Sequence, residues 1–175
     1  MEFSLKQHDT LTQPSTDWDF ALDGDSEQLE REMIDFMLAN NGIGLAANQI
    51  NLAKRVFVMG SDTAPGFPKP FAIFNPVILD ASKEVIEDIE GCLSYPGLLL
   101  KVKRPEWIVA QWQDSKGEWR EAKLEGYLNK CFQHEFDHLN GVCFVDRVSQ
   151  LKLQLAYKKL RKLNDRTKSV TTRSF

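Results

Sequence analysis

The residues best suited to chemistry lie in one short segment, His134-Glu-Phe-Asp-His138. On a helix, side chains four residues apart project from the same side, about 6 Å apart along the axis, so both imidazoles can reach one metal ion. Glu135 lies about 100° around the helix from His134, near enough to take a proton from a water molecule that the metal activates. The segment therefore predicts a metal-assisted hydrolase, the alternative being a helix with two surface histidines.

A third ligand must come from another part of the chain, because a catalytic metal site takes three protein ligands and leaves one position for water. Cys131 lies about 10 Å along the helix axis from His138, which is too far for easy joint coordination. Cys143 follows the helix in an apolar run, and we expect both cysteines to be buried. Cys92 follows Gly91 in an expected loop whose backbone can approach a ligand closely, so we predict Cys92 as the third ligand.

Three segments resemble the three sequence motifs of the peptide deformylases, in that family's order and at similar separations. They are Gly42-Ile-Gly-Leu-Ala-Ala-Asn-Gln49, Glu90-Gly-Cys-Leu-Ser94 and Gln133-His-Glu-Phe-Asp-His-Leu-Asn-Gly141. The resemblance covers about residues 25–150. It implies an enzyme that hydrolyses the formyl group from the N-terminal methionine of nascent peptides and releases formate.

The resemblance also assigns catalytic roles. It implies three ligands for one divalent metal ion, Cys92, His134 and His138. The ion is most naturally Fe2+, although Zn2+, Ni2+ or Co2+ can occupy such a site and a thiolate with two imidazoles suits several of them. Glu135 would be the general base, while the Gln49 side-chain amide and the Leu93 backbone N–H would stabilise the oxyanion. Gln49 alone could equally cap a turn.

Further residues are implied to bind the N-formyl-methionyl peptide. The backbones of Ile43, Gly44 and Gly91 would pair with the peptide as with an added strand. Glu90 and Arg104 would shape the groove, although they could equally form a plain surface ion pair. An apolar pocket beside His134 would hold the methionine side chain, with Ile43 and Leu93 as walls and Cys131 nearby.

Residues 127–130, Tyr-Leu-Asn-Lys, depart from the family pattern, because they are more polar than expected beside this pocket. Lys130 would extend its stem over the pocket and keep its ammonium group in water. We therefore expect an altered preference for the first side chain of the peptide.

Two other functions fit parts of the pattern. A zinc endopeptidase uses the same HExxH chemistry, but such enzymes usually take a third histidine or glutamate downstream, and no histidine follows His138. A metal-stabilised binding protein would close every coordination position and would need neither Glu135 nor Gln49.

Composition narrows the class of protein. The chain has 175 residues, of which 42% are hydrophobic and 27% charged, as in globular proteins, and we expect a single domain over residues 1–175. It has neither a long apolar run nor the basic and apolar start of a signal peptide, and its three cysteines are an odd number. We therefore expect a cytoplasmic monomer with reduced thiols that binds neither DNA nor membranes.

Charge is unevenly distributed. Residues 147–175 contain nine Lys or Arg residues and one acidic residue, whereas residues 1–146 carry a net charge of −11. This basic tail predicts either a solvated helix face or an anionic partner such as RNA. With the family resemblance, it suggests docking on the ribosome.

The elements that must position these residues indicate an α+β protein. Antiparallel strands would pack around a central metal-binding helix that bears HExxH, with further helices towards the N- and C-termini. The predicted helices span about 26–40, 127–139 and 149–163, and the first two end at Asn-Gly pairs. Predicted strands span 55–59, 71–79, 98–102, 106–113, 118–124 and 142–145, and residues 1–24 form an irregular arm.

Overall fold

The α+β prediction is confirmed by a computed structural model, which describes residues 4–5, 11–64 and 66–171. The α-helices among these residues are α1 (Ser26–Ala39), α2 (Gly126–Leu139) and α3 (Gln150–Thr171). The strands are β1 (Gly44–Ala46), β2 (Val56–Met59), β3 (Phe71–Ala81), β4 (Val85–Cys92), β5 (Tyr95–Pro105), β6 (Trp107–Gln113) and β7 (Trp119–Glu125). Short 3-10 helices span Ala47–Ile50 and Phe144–Arg147.

The strands form two separate antiparallel sheets. One sheet has five strands in the order β1-β2-β3-β6-β7, and β4 pairs with β5 in a second sheet of two strands. Helix α2 contacts β1, β2, β6 and β7 of the larger sheet. On this face the fully buried Phe132 of α2 meets Phe57 of β2 edge to face, with ring centroids 5.2 Å apart. The strands thus enclose the helix that bears the two histidines.

The burial of its two histidines decides whether α2 can carry a metal site or only two surface histidines. His138 is fully buried and His134 is only 7% exposed, so the alternative of two surface histidines is wrong. The helix ends at Leu139 with Asn140 as its C-cap, and Gly141 follows with φ of +72°. A Cβ atom at Gly141 would lie 2.5 Å from the Thr12 carbonyl oxygen, so the chain from the N-terminal side closes the end of the helix.

The described part of the N-terminal arm is irregular but packed. Leu11 and Trp18 are buried, and the Ser15 N–H donates to the Leu139 carbonyl at the end of α2. The prediction for residues 1–3 and 6–10 lies outside the described residues.

Three local predictions were wrong or incomplete. Cys92 ends a strand rather than lying in a loop, because β4, which was not predicted, pairs with β5 up to this residue. Residues 142–145 are not a strand; a 3-10 helix begins at Phe144, and the Asp146 carboxylate caps it by accepting from the Cys143 N–H at 2.8 Å. Helix α3 extends past the predicted end at residue 163.

The outer helix α3 packs on the smaller sheet. Its side chains Leu153, Ala156 and Leu160 contact the apolar cluster that contains Leu98 and Leu100 of β5. Among the residues that the structure describes, no helix combines the length and apolar character needed to cross a bilayer.

Candidate active site

The structure brings the three predicted metal ligands together. One ligand atom each of Cys92, His134 and His138 lies within 4.8 Å of the others. The Cys92 Sγ to His138 Nε2 distance is 3.4 Å. A tetrahedral ion with usual bond lengths to sulfur and nitrogen would separate these two atoms by about 3.6 Å. The donor set and its spacing therefore fit a single divalent ion.

The two histidines approach this point from successive turns of α2. Their ring centroids lie 5.0 Å apart at an interplanar angle of 82°, so the rings converge edge to face instead of stacking. Cys92 comes from the end of β4, on the other sheet. The site therefore joins the smaller sheet to the helix of the larger one.

Glu90 holds the His134 ring in place. Its Oε2 atom lies 2.9 Å from His134 Nδ1, which leaves Nε2 available as the metal ligand. Burial alone would raise the pKa of the Glu90 carboxyl, but hydrogen bonds from Arg104 and His134 outweigh it and lower the pKa to about 2. Glu90 therefore stays ionised beside the histidine.

Behind Glu90, charged groups continue into the protein interior. Arg104 donates from Nη2 to Glu90 Oε2 at 2.9 Å and from Nη1 to Asp137 Oδ2 at 2.8 Å. Arg147 completes the series with a bidentate pair to Asp137. We call the series His134, Glu90, Arg104, Asp137 and Arg147 the buried charge chain; Arg147, whose side chain is 40% exposed, is its end at the protein surface.

The structure corrects one interpretation of Arg104. The Glu90–Arg104 pair is not a surface ion pair, because both side chains are only 3% exposed. Arg104 also does not line the cavity described below, so it can reach a bound substrate only through Glu90.

The predicted base, Glu135, is buried next to the ligands. It is 4% exposed, and its Oε2 atom has no hydrogen-bond partner among the described residues. Burial raises the pKa of this carboxyl from its usual value to about 7. A carboxyl with these properties can accept a proton and release it again near neutral pH.

Gly44 makes room for this carboxylate. A Cβ atom at position 44 would lie 2.3 Å from Glu135 Oε1 and 2.8 Å from Cys131 Sγ. Any side chain larger than hydrogen would therefore displace the base.

Gln49 has a fixed orientation. Its Oε1 accepts from the Ala46 N–H at 2.8 Å, which directs Nε2 towards Cys92 Sγ at 3.4 Å and Ser94 Oγ at 3.1 Å. The expected turn cap is therefore present, and the same side chain also presents its N–H groups to the ligand cysteine.

One cavity of about 570 Å³ connects most of these groups. Of the predicted site residues, Ile43, Gly44, Gln49, Glu90, Gly91, Cys92, Leu93, His134 and Glu135 line it. His138 lies behind the wall and is fully buried. Leu5 and Ile89 also line the cavity and were not predicted. Ser94, which contacts Gln49, was not predicted either, although it ends one of the three motifs.

Comparisons with known proteins agree on one family. Residues 2–154 match the sequence profile of the family described as polypeptide deformylase. The chain is 44% identical over 138 residues to the peptide deformylase of Thermotoga petrophila, a match that covers 79% of this chain and 81% of the relative.

Solved structures are similar throughout the fold. The crystal structure of peptide deformylase from Ehrlichia chaffeensis superposes with a TM-score of 0.82 at 32% identity, over 96% of this chain and 99% of that one. Peptide deformylase from Synechococcus elongatus, solved in complex with actinonin, gives a TM-score of 0.80 at 36% identity, over 90% and 86% of the two chains.

The contact between Glu90 and His134 predicts an effect on metal affinity. Glu90→Gln should weaken metal binding by about 10- to 100-fold, because an amide orients the imidazole less firmly than a carboxylate does. Competition with a chelator measures the affinity. Glu87→Gln is the matched control, since Glu87 lies on the same strand and pairs with Lys152 at 3.1 Å instead. Equal affinities in the two variants would show that Glu90 does not support the ligand.

The tight packing at Gly44 predicts an effect on turnover. Gly44→Ala should lower kcat by about 100-fold, the usual consequence of moving a catalytic group by an ångström. Metal content measured on the same sample should stay at the parental value, because no ligand is touched. An alanine variant with the parental kcat would mean that Glu135 does not need its present position.

Proposed function

Because this chain belongs to the peptide deformylase family, we propose that its cavity carries out that family's reaction with the residues gathered there. Peptide deformylases are metal-dependent hydrolases that remove the N-formyl group from the N-terminal methionine of nascent peptides. The observation that carries the assignment of residues is the approach of the Cys92, His134 and His138 donor atoms to within 4.8 Å, beside the buried Glu135 carboxylate.

We assign the metal to Cys92, His134 and His138. A divalent ion held there would supply Lewis-acid activation of water and of the formyl carbonyl. The ion proposed is Fe2+, with Zn2+, Ni2+ or Co2+ as ions that can substitute, because a thiolate and two imidazoles accommodate all four.

Glu135 moves the proton in this proposal. Its carboxylate takes a proton from the attacking water as the new C–O bond forms at the formyl carbon. It then delivers that proton to the leaving amine as the C–N bond breaks, which yields formate and a free N-terminus. The pKa of about 7 favours both transfers near neutral pH.

Two donors would stabilise the negative charge on the tetrahedral intermediate. Gln49 Nε2 lies 3.4 Å from Cys92 Sγ, and so beside the point where the formyl carbon must react. Leu93 follows Cys92 directly and lines the same cavity, which supports its backbone N–H as the second donor. Such preorganised donors are worth about 10²- to 10³-fold in kcat.

The peptide would bind between two sheet edges. Within the described part of the chain, β1 pairs with β2 alone and β4 with β5 alone, so each has one free edge there. The cavity is lined by Gly44 from β1 and by Gly91 from β4. An extended peptide can therefore add as a strand and use backbone hydrogen bonds, which tolerate many sequences beyond the first residue.

We also propose the setting of this reaction. The enzyme is proposed to act as a single-domain monomer, because one chain supplies the ligands, the base and the cavity, and the reaction therefore needs no second subunit. It works in the cytoplasm, where formylated chains leave the ribosome, and its three cysteines are free thiols. The basic face of α3 docks on ribosomal RNA.

The first experiment measures formate release from formyl-Met-Ala-Ser by protein purified without oxygen, with the metal counted in the same sample. Parent protein should turn over and contain close to one metal ion per chain. Glu135→Ala should keep the metal and lose activity, because it removes the base and no ligand. Turnover by this variant at the parental rate would refute the role of Glu135, and a metal-loaded parent without turnover would refute the proposed site.

The proposed ribosome contact predicts a charge effect. Lys158 and Lys162 are exposed on α3, one turn apart. Changing both to Gln should weaken ribosome association and make it less dependent on salt, because fewer counterions are released from phosphate. The control changes the exposed Lys69 and Lys116 to Gln, which removes the same charge elsewhere. Sedimentation with ribosomes across a salt series measures both quantities, and identical curves would refute docking through α3.

A further inference from the structure

Lys130, which lines the cavity, forms an ion pair with Asp88 behind it. Lys130 on α2 donates from Nζ to Asp88 Oδ2 at 2.6 Å, and Nζ lies 4.6 Å from the centre of the Tyr127 ring. The Lys130 side chain is 16% exposed, while that of Asp88 is 50% exposed. Lys130 and Tyr127 both line the cavity, next to Ile89 and Cys131. Lys130 therefore brings a charged side chain to the part of the wall that Tyr127, Ile89 and Cys131 form, in addition to the polar Glu90, His134 and Glu135 side chains that line the same cavity.

The Lys130 ammonium has hydrogen-bonding capacity left over. Besides Asp88, its only other acceptor among the described residues is the Ile89 carbonyl, at 3.4 Å. That distance is long for an N–H···O bond, so a better acceptor can replace the carbonyl at little cost. Asp88 already balances the charge, and the occupant that fits is therefore a neutral group with a strong acceptor oxygen.

The first side chain of the substrate comes close to this group. This step rests on the proposed function, in which the formyl carbon reacts beside Glu135. A Cβ atom built on Gly44 would meet both Glu135 Oε1 and Cys131 Sγ, so Cys131 lies next to the reacting groups. Lys130 precedes Cys131 and lines the same wall. A long unbranched side chain that passes Cys131 therefore extends towards Lys130.

We propose that this pocket accepts N-formyl peptides whose first residue is methionine sulfoxide, with Lys130 Nζ donating to the sulfoxide oxygen. Methionine sulfoxide arises when the methionine side chain is oxidised, and it places a polar oxygen on the thioether sulfur. The reaction is the same hydrolysis of the formyl group, and the sulfoxide itself does not react.

The same wall also accommodates ordinary methionine. The lysine stem is apolar and can cover a thioether while its ammonium stays with Asp88. A purely apolar pocket would reject the sulfoxide, because its oxygen would be buried without a partner. Lys130 therefore broadens the range of substrates to both oxidation states.

The test compares kcat/KM for formyl-Met-Ala-Ser and for the peptide with methionine sulfoxide in first place, each sulfoxide epimer assayed separately. In Lys130→Met, the kcat/KM for the sulfoxide peptide divided by that for the methionine peptide should fall by at least about tenfold for the preferred epimer. The reason is that a hydrogen bond from a charged donor is lost. Formyl-Met turnover by the variant, measured in the same assay, reports that its fold is intact.

Lys123→Met is the matched control. Lys123 pairs with Glu125 at 2.6 Å and lies 4.8 Å from the Trp107 ring centre, so it makes the same kinds of contact away from the cavity. Its ratio should equal that of the parent. In Asp88→Asn, which keeps the ammonium group and removes its counter-ion, the ratio should equal or exceed the parental value.

The outcomes separate the two proposals. A parent that releases formate from neither peptide contradicts the proposed function. Turnover of formyl-Met combined with a ratio that Lys130→Met leaves unchanged overturns the role of Lys130. An equal fall of the ratio in Asp88→Asn also overturns the role of Lys130. The shape of the wall, rather than its N–H donor, would then determine which peptide is preferred.

Discussion

The buried charge chain is the constraint on which the site depends. Its members belong to different elements: Glu90 to β4, Arg104 to β5, Asp137 to α2, and Arg147 to the 3-10 helix that follows. A buried charge without a partner costs several kcal/mol, so removing one member leaves its neighbours strongly destabilised. Each member here has an opposite charge within hydrogen-bonding distance. The chain therefore fixes the smaller sheet against α2 and sets how far Cys92 stands from the histidines.

This fixation matters because β4 and β5 share no backbone hydrogen bonds with the larger sheet. A sheet of two strands alone is marginally stable in water. Besides the charge chain, an apolar cluster holds this sheet in place. Leu98, Leu100 and Val102 of β5 pack with Phe144, and α3 covers the same cluster. The polar contacts thus determine position, while the apolar cluster supplies the area buried from water. The free edge of β4 that remains is the edge proposed to receive the peptide.

Local patterns made much of the site predictable. The spacing of His134, Glu135 and His138 fixes their relation on any helix. Cys92 was the remaining ligand candidate once the helix distance excluded Cys131 and the apolar surroundings excluded Cys143. Strand β4 escaped prediction because five of its eight residues are exposed, two of them acidic, so no apolar alternation marks it. The burial of Arg104 depends on partners 14 and 33 residues away, and nothing in its immediate neighbours indicates them. The polar wall at Lys130 was visible in the sequence, but its partner Asp88 lies 42 residues away.

Because the metal ligands are far apart along the chain, they are also synthesised at different times. Cys92 is 46 residues ahead of His138, and α2 cannot form until the chain has been made through Leu139. At about 5 to 20 residues per second, the thiol waits about 2 to 9 s for its histidine partners during synthesis. During that interval Cys92 has neither metal nor helix to shield it, and an unshielded cysteine is open to oxidation. The metal ligand of an enzyme that acts on nascent chains is thus open to oxidation while the enzyme is itself a nascent chain.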